Sequence, residues 1–172
     1  MPSTAVIGLQ YGDEGKGRVV DNLAKEHDYV VRFQGGPNAG HTVQLRNKKF
    51  ILHNYPSGAL YNKRCLIAQG CQVDLKTLCD EIDVLSKANY KINLGIDFRA
   101  HIILPFHKDL DGIEERARNS KIGVTGRGIG PSYSDRKSRS GMRFETLEKL
   151  LEPGSKDSVL KYLNEIYDSK FK

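Results

Sequence analysis

The most constraining stretch of the chain is its start. An apolar run over residues 4–10 breaks into the turn Tyr11-Gly12-Asp13-Glu14-Gly15-Lys16-Gly17. A short apolar run bounded by polar residues reads as a buried strand. After the turn, Val19, Val20, Leu23 and Ala24 fall on one face of a helix that runs to about His27. Residues 29–33, β-branched and aromatic, give a second strand. Strand, turn, helix and strand within about thirty residues make a βαβ unit. The expected fold class is therefore α/β, a mainly parallel central sheet with flanking helices.

The rest of the chain extends that pattern. Residues 34–42 form a second glycine-containing loop. Residues 43–45 and 50–53 flank the polar turn Arg46-Asn47-Lys48-Lys49 and read as a β-hairpin. Pro56-Ser57-Gly58 punctuates its end. Residues 65–68 are another strand, and Asp74 stands as the N-cap of a helix with Leu75, Leu78, Ile82 and Leu85 on one face. Residues 92–94 and 102–104 are short strand candidates, and residues 109–118 a charged, exposed helix. Residues 123–133 form a third glycine-rich loop carrying Thr125, Gly126, Arg127, Gly128 and Gly130. Val159, Leu160, Leu163, Ile166 and Tyr167 then make an amphipathic helix, and the chain stops at Lys172 with no closing strand. Residues 1–172 are read as a single domain, incomplete at the C-terminus and cut from a larger protein.

The first turn has the makings of a phosphate site. A strand ending in a glycine-rich turn before a helix presents free backbone N–H groups, and the helix dipole adds partial positive charge there. Gly12, Gly15 and Gly17 let the backbone approach a phosphate, and Lys16 supplies a mobile positive charge. The turn is P-loop-like, not a standard P-loop: Gln10 stands where the first glycine belongs, and Gly17 replaces the magnesium-binding hydroxyl. A tight turn with a solvated lysine is the other reading of the same residues. A carboxylate inside a phosphate-binding turn repels its ligand unless a cation or chemistry explains it. For Asp13 the explanations are a magnesium ligand, a general base, or a cap on the following helix.

Composition narrows the classes. A hydrophobic fraction of 38% and a charged fraction of 28% describe an ordinary soluble globular chain. No apolar run approaches the ~20 residues needed to span a bilayer. No basic segment precedes an apolar stretch at the start, so a cytoplasmic protein without a membrane partner is expected. Cys65, Cys71 and Cys79 lack the paired spacing of a zinc site and read as reduced structural thiols. The net charge of +6, from 27 basic and 21 acidic side chains, attracts anions of any kind. Basic residues crowd only at Arg136, Lys137, Arg139 and Arg143, without interleaved aromatics, and no nucleic-acid-binding motif is present.

Four ordered blocks carry a resemblance. Gly12-Asp13-Glu14-Gly15-Lys16-Gly17, after a Gln10-aromatic pair, is similar to a motif of the adenylosuccinate synthetase family. So is Val30-Val31-Arg32-Phe33-Gln34-Gly35-Gly36-Pro37-Asn38-Ala39-Gly40-His41-Thr42. Gly123-Val124-Thr125-Gly126-Arg127-Gly128-Ile129-Gly130-Pro131-Ser132-Tyr133 resembles the family's inosinate loop, and His53-Asn54-Tyr55-Pro56-Ser57-Gly58 also fits. The blocks cover most of residues 5–143, and the resemblance fades from about Glu145 onward.

The resemblance implies a ligase that joins L-aspartate to inosine monophosphate (IMP) while GTP is hydrolysed, through a 6-phosphoryl intermediate, in purine synthesis. Asp13 would remove the N1 proton of IMP, so that O6 attacks the γ-phosphate, and His41 would act as general acid. Gly12, Asp13, Glu14, Gly15, Lys16, Gly17, Arg18, Gly40, His41 and Thr42 would bind GTP. Asp13, Lys16, Asn38, Ala39, Gly40, His41, Thr125 and Arg139 would contact IMP, with Arg139 reaching the partner's site across a homodimer. The Asp13 carboxylate and the Gly40 carbonyl would hold Mg2+. Taken singly, His41 is an ordinary loop histidine, Thr125 and Arg127 build a turn, and Arg139 is a surface charge; their joint occurrence carries the implication. Two other readings stand beside it: a nucleotide-binding module without activity of its own, and a viral-type relative acting on dGMP. Those viral relatives tend to lack the aspartate at the position of Asp13. No nucleic-acid partner is expected.

Overall fold

Ten consecutive residues, Arg64 to Val73, form the strand around which the sheet assembles, although only Ile67 and Val73 among them are strong β-formers. The computed structural model describes residues 3–10, 14–38, 40–45, 48–118, 120 and 123–150. In chain order the elements are α1 (Lys16–Ala24), β1 (Tyr29–Gly35), β2 (His41–Leu45), β3 (Lys48–Leu52), a 3-10 turn (Ser57–Tyr61), β4 (Arg64–Val73), α2 (Leu75–Lys87), β5 (Leu94–Ile96) and β6 (His101–Ile102). Helices α3 (Pro105–Ala117), α4 (Ile129–Ser138) and α5 (Phe144–Leu150) follow.

β4 pairs in parallel with β1 on one side and with β5, then β6, on the other. The α/β class with a parallel sheet and flanking helices is what the periodicity predicts. Alternation along β4 buries Cys65 and Ile67 on the face that meets Leu78 and Leu85 of α2. The opposite face leaves Val31 and Phe33 of β1 and Leu66 of β4 exposed, at 47%, 46% and 39%. The expected antiparallel hairpin forms as β2–β3, with His41 opposite Leu52 and Val43 opposite Phe50, but Lys48 and Lys49 pair with Leu45 and Gln44 in the ladder instead of lying in the turn. Its buried face adds Val43, Phe50 and Leu52 to the core, and the Phe50 ring meets Tyr90 edge-on with centroids 5.4 Å apart. Arg46 and Asn47 of its turn lie outside the described residues.

Asp74 caps α2 as its position predicts, accepting from the N–H groups of Lys76 and Thr77 at 3.1 and 3.3 Å. The thiols also match expectation: Cys65 and Cys71 are buried and free, and burial pushes Cys65 up to about 12. Cys79 is free and exposed.

Several expectations change. Residues 4–10 are not a buried strand: Ile7 is 65% and Leu9 91% exposed, and no described strand pairs with them. A strand exists only where a neighbouring ladder takes its backbone groups, which periodicity does not report. Residues 3–6 instead line an apolar groove with Val20, Leu23, Val30 and Phe33. The charged helix begins at Pro105, four residues earlier than its charge pattern suggests, because Pro fits the first helical position. Its first turns are buried through Phe106, His107 and Asp111. The third glycine loop is shorter than predicted, since α4 starts at Ile129, and α5 is an additional helix. The amphipathic helix expected around Val159 to Tyr167 lies outside the described residues. Among the described residues, no helix is long and apolar enough to cross a membrane.

Packing of α2 on β4 sets a contrast between neighbours. Leu85→Ala empties a site with 0% exposure and should cost about 2–5 kcal/mol in urea unfolding. Val84→Ala, at 52% exposure, should stay within about 0.5 kcal/mol. Equal losses at both positions would contradict the assigned helix face.

Candidate functional site

The first loop ends in the helix start that its glycines predict. Gly15 takes a left-handed conformation, φ 79°, and α1 begins at Lys16. The Gly15 carbonyl accepts from the N–H groups of Arg18 and Val19 at 3.0 and 3.4 Å, closing the first turn. The Lys16 ammonium pairs with the Glu14 carboxylate, and that hydrogen bond holds Glu14 at about 2. Lys16 therefore carries a half-exposed charge at a helix N-terminus, where an anion is favoured. Arg18 is exposed beside it. Gly12 and Asp13 lie outside the described residues.

β2 sets the second loop against that helix. His41, its first residue, lies over Gly17 so closely that a Cβ on Gly17 would stand 2.9 Å from His41 Cδ2. Any side chain at position 17 would therefore push the imidazole off α1. Burial lowers the His41 pKa, and the charges of Arg32, His53 and Lys16 lower it further. The imidazole is thus held neutral and can still donate one hydrogen bond. The His53 ring packs equally close on Gly40, 2.7 Å from an ideal Cβ there. Asn38, Gly40 and Thr42 are exposed, and Ala39 lies outside the described residues.

The third loop is tied onto the second. Arg127 Nη1 donates to the Pro37 carbonyl at 2.8 Å, and Ile129 packs on Gly36. Tyr133 bridges the neighbouring strands β1 and β4: its hydroxyl accepts from the Gly35 N–H at 3.1 Å and donates to the Gly70 carbonyl at 3.3 Å. Arg136 adds a 2.8 Å bond to that carbonyl. α4 is thereby fixed where β1 ends, the side of a parallel sheet on which α/β proteins place their ligands.

Gly128 anchors the turn from below. Its φ is 72°, and a Cβ would lie 2.8 Å from the His107 backbone, so only glycine fits. Its N–H donates to Asp111 at 3.0 Å. His107 Nδ1 accepts from the Leu104 N–H at 2.9 Å, which puts the proton of a neutral ring on Nε2, facing Asp135 Oδ2 at 3.2 Å. Thr125 is exposed on the loop so held. Sequence reasoning did not single out Asp111 or the Tyr133 hydroxyl.

Arg139 is placed apart from these loops, at the far end of α4, about 15 Å along the helix axis. It adopts a left-handed backbone, φ 63°, which costs a non-glycine residue about 1–2 kcal/mol. Ser140 and Gly141 cap the helix by donating to the Asp135 carbonyl at 2.9 and 3.1 Å. Arg139 is exposed on a cleft shared with His101 and Arg143. The structure thus joins Lys16, Gly17, Gly40 and His41 in one place and pins the Thr125 loop to the Asn38 loop. It does not bring Arg139 to them within the chain. Among the described residues, no three His, Cys, Asp or Glu side chains cluster to hold a metal ion.

The chain is similar to known proteins along most of its length. The family model of adenylosuccinate synthetase matches residues 5–171. The chain is 53% identical over 153 residues to the adenylosuccinate synthetase of Endomicrobium trichonymphae, covering 87% of this chain and 35% of that protein. It is 53% identical over 148 residues to that of Clostridium kluyveri, covering 83% and 35%. Among solved structures, a fully ligated adenylosuccinate synthetase from Plasmodium falciparum superposes with a TM-score of 0.76 at 33% identity, over 96% of this chain and 40% of that one. A cyanophage S-2L succinoaminodeoxyadenylate synthetase bound to dGMP and dATP gives 0.61 at 26% identity, over 76% and 36%. The chain thus spans 35% of the length of these curated relatives.

The His41 environment can be read directly by titration. Its ring should protonate below the ordinary histidine value of 6.5, because burial and three basic neighbours disfavour the imidazolium. Imidazole resonances followed by NMR against pH should show this, and a midpoint at or above 6.5 would contradict the site's electrostatics.

Proposed function

The chain belongs to the adenylosuccinate synthetase family, and from that premise we propose that it supplies the phosphate- and inosinate-facing part of an enzyme joining L-aspartate to IMP. GTP is hydrolysed to GDP and phosphate in that reaction. The observation that carries the reading is the seating of His41 over Gly17 at the start of α1, with the Thr125 loop pinned alongside by Arg127 and Pro37.

The C6 oxygen of IMP is a poor leaving group until it is phosphorylated. Asp13 takes the N1 proton, which makes O6 nucleophilic toward the γ-phosphate. Lys16 and the first-turn amides of α1 hold the GTP phosphates, joined by Gly12, Glu14, Gly15, Gly17, Arg18, Gly40 and Thr42. His41, neutral and partly buried, donates a hydrogen bond to the transferring phosphoryl oxygens. Its seat on Gly17 ties that donor to the phosphate-binding turn. Asn38, Ala39 and Thr125 contact IMP, and the amine of aspartate then displaces phosphate from C6. The exposed end position of Arg139 suits a reach into a partner's site in a homodimer. A cytoplasmic location follows from the same premise.

The donor types fit a magnesium ion: Gly40, which is exposed, would offer its carbonyl, and Asp13 its carboxylate. One carboxylate and one carbonyl are a suitable protein share for Mg2+, which takes its remaining oxygens from phosphate and water. Held there, the ion would supply neutralising charge to the phosphate oxygens.

A dGMP-specific enzyme is the second reading. The Asp13 carboxylate, at a position where the viral relatives tend to lack an aspartate, favours IMP.

Calorimetric titration of the chain with GTP and Mg2+ tests the reading, with Lys16→Ala as the comparison. Removing one charge-assisted phosphate contact should weaken binding by roughly 10- to 100-fold. In the full-length enzyme, Asp13→Ala should abolish adenylosuccinate formation with an unchanged circular dichroism spectrum. Near-normal turnover in that variant would remove the general-base role.

A further inference from the structure

Two charged side chains sit where the pattern of their elements calls for apolar ones. Arg32 interrupts β1 between Val31 and Phe33, and its guanidinium is drawn into the protein. Glu81 occupies the buried stripe of α2 between Leu78 and Leu85, with 6% exposure. Neither belongs to the proposed set of substrate contacts.

Both converge on the peptide of His53. Glu81 accepts from three successive backbone N–H groups: His53, Asn54 at 3.1 Å, and Tyr55 at 2.8 Å. A carboxylate that takes three amides fixes the backbone of that turn as an anion fixes a nest. From the other side, Arg32 Nη1 donates to the His53 carbonyl, and its Nη2 donates to the Gly36 carbonyl. The guanidinium fork thus spans two loops that are 17 residues apart in sequence, between positions 36 and 53. The far ends of both loops meet again where the His53 ring packs on Gly40, next to His41.

We propose that Arg32 and Glu81 are positioning residues, a buried clamp on the His53 peptide that locks the 36–41 loop and so sets His41 over the phosphate-binding turn. The clamp rests on the reading that this loop faces nucleotide. Its logic is geometric: each charge satisfies backbone groups that lie beyond the ends of the described strands, and the two charges lie on opposite sides of one peptide. A lysine at position 32 keeps the charge but replaces the rigid two-nitrogen fork with a single nitrogen, so the paired geometry of the two bonds is lost. A glutamine at position 81 keeps the shape but turns an NH2 group toward backbone N–H donors.

The test uses the whole 172-residue chain, isotopically labelled, with Glu81→Gln and Arg32→Lys as conservative variants. In Glu81→Gln, amide exchange should quicken at His53, Asn54 and Tyr55 and also at Gly40 and His41. The His41 ring resonances should move as well, while amides of the β4–β5 ladder around Cys65 and Ile67 keep their protection. Arg32→Lys should move the same His41 signals. In both variants the affinity for GTP with Mg2+ should fall by about tenfold. Changes confined to residues 53–55, with Gly40 and His41 unmoved, would overturn the clamp, as would affinity within about twofold of the unsubstituted chain. If the unsubstituted chain binds no GTP, the functional reading fails alone; the amide and ring signals still decide the clamp.

Discussion

The parallel ladder between β1 and β4 is the constraint on which the remaining structure depends. It sets Tyr29 opposite Arg64 and Arg32 opposite Ile67, then shifts register before pairing Gln34 with Gly70. Past that shift the two strands deliver Gly35 and Gly70 side by side, where the Tyr133 hydroxyl can bond to both. α4 is held by that contact, and the loop preceding α4 is held in turn by Arg127 on Pro37. A change in the strand register would therefore move the 36–41 and 123–128 loops apart. The parallel arrangement makes this possible, since it puts the ends of neighbouring strands, and the loops leaving them, on one side of the sheet.

The site grows from that side in layers. The hairpin β2–β3 leaves the 36–40 loop and returns to the core, which brings His41 onto α1 and His53 onto Gly40. Each contact is short because one partner is glycine, so the imidazoles approach backbone instead of side chain. Burial chiefly keeps the His41 ring neutral, and the nearby basic groups Arg32, His53 and Lys16 add to that effect. The same basic groups draw anions to this surface. The Arg139 end of α4 faces elsewhere, which suits a residue whose proposed substrate sits in another subunit.

How much of this was legible in the sequence differs by level. The α/β class, the hairpin, the Asp74 cap and the α2 face follow from periodicity and capping chemistry, which are local. Residues 4–10 show the limit of such signals: their apolar run is real, but a strand needs a neighbour, and no described strand pairs with them. α3 starts ahead of its charged stretch because Pro105 suits the first helical position, a signal that charge density does not carry. Lys16, Gly40 and His41 stood out because their motif was intact. Asp111, Tyr133, Arg32 and Glu81 act through bonds to distant backbone groups, and sequence spacing carries no record of those partners. The visible trace they leave is a charge inside an apolar pattern, as with Arg32 between Val31 and Phe33.

The central claim is that the 38–42 and 123–128 loops form one ligand-facing surface, although they lie far apart in the chain. Hydrogen–deuterium exchange of the chain with and without IMP tests this most directly. The account predicts added protection in both loops together, together with the start of α4 and none across the β4–β5 ladder. Protection of one loop without the other, or none in either at saturating IMP, would contradict it.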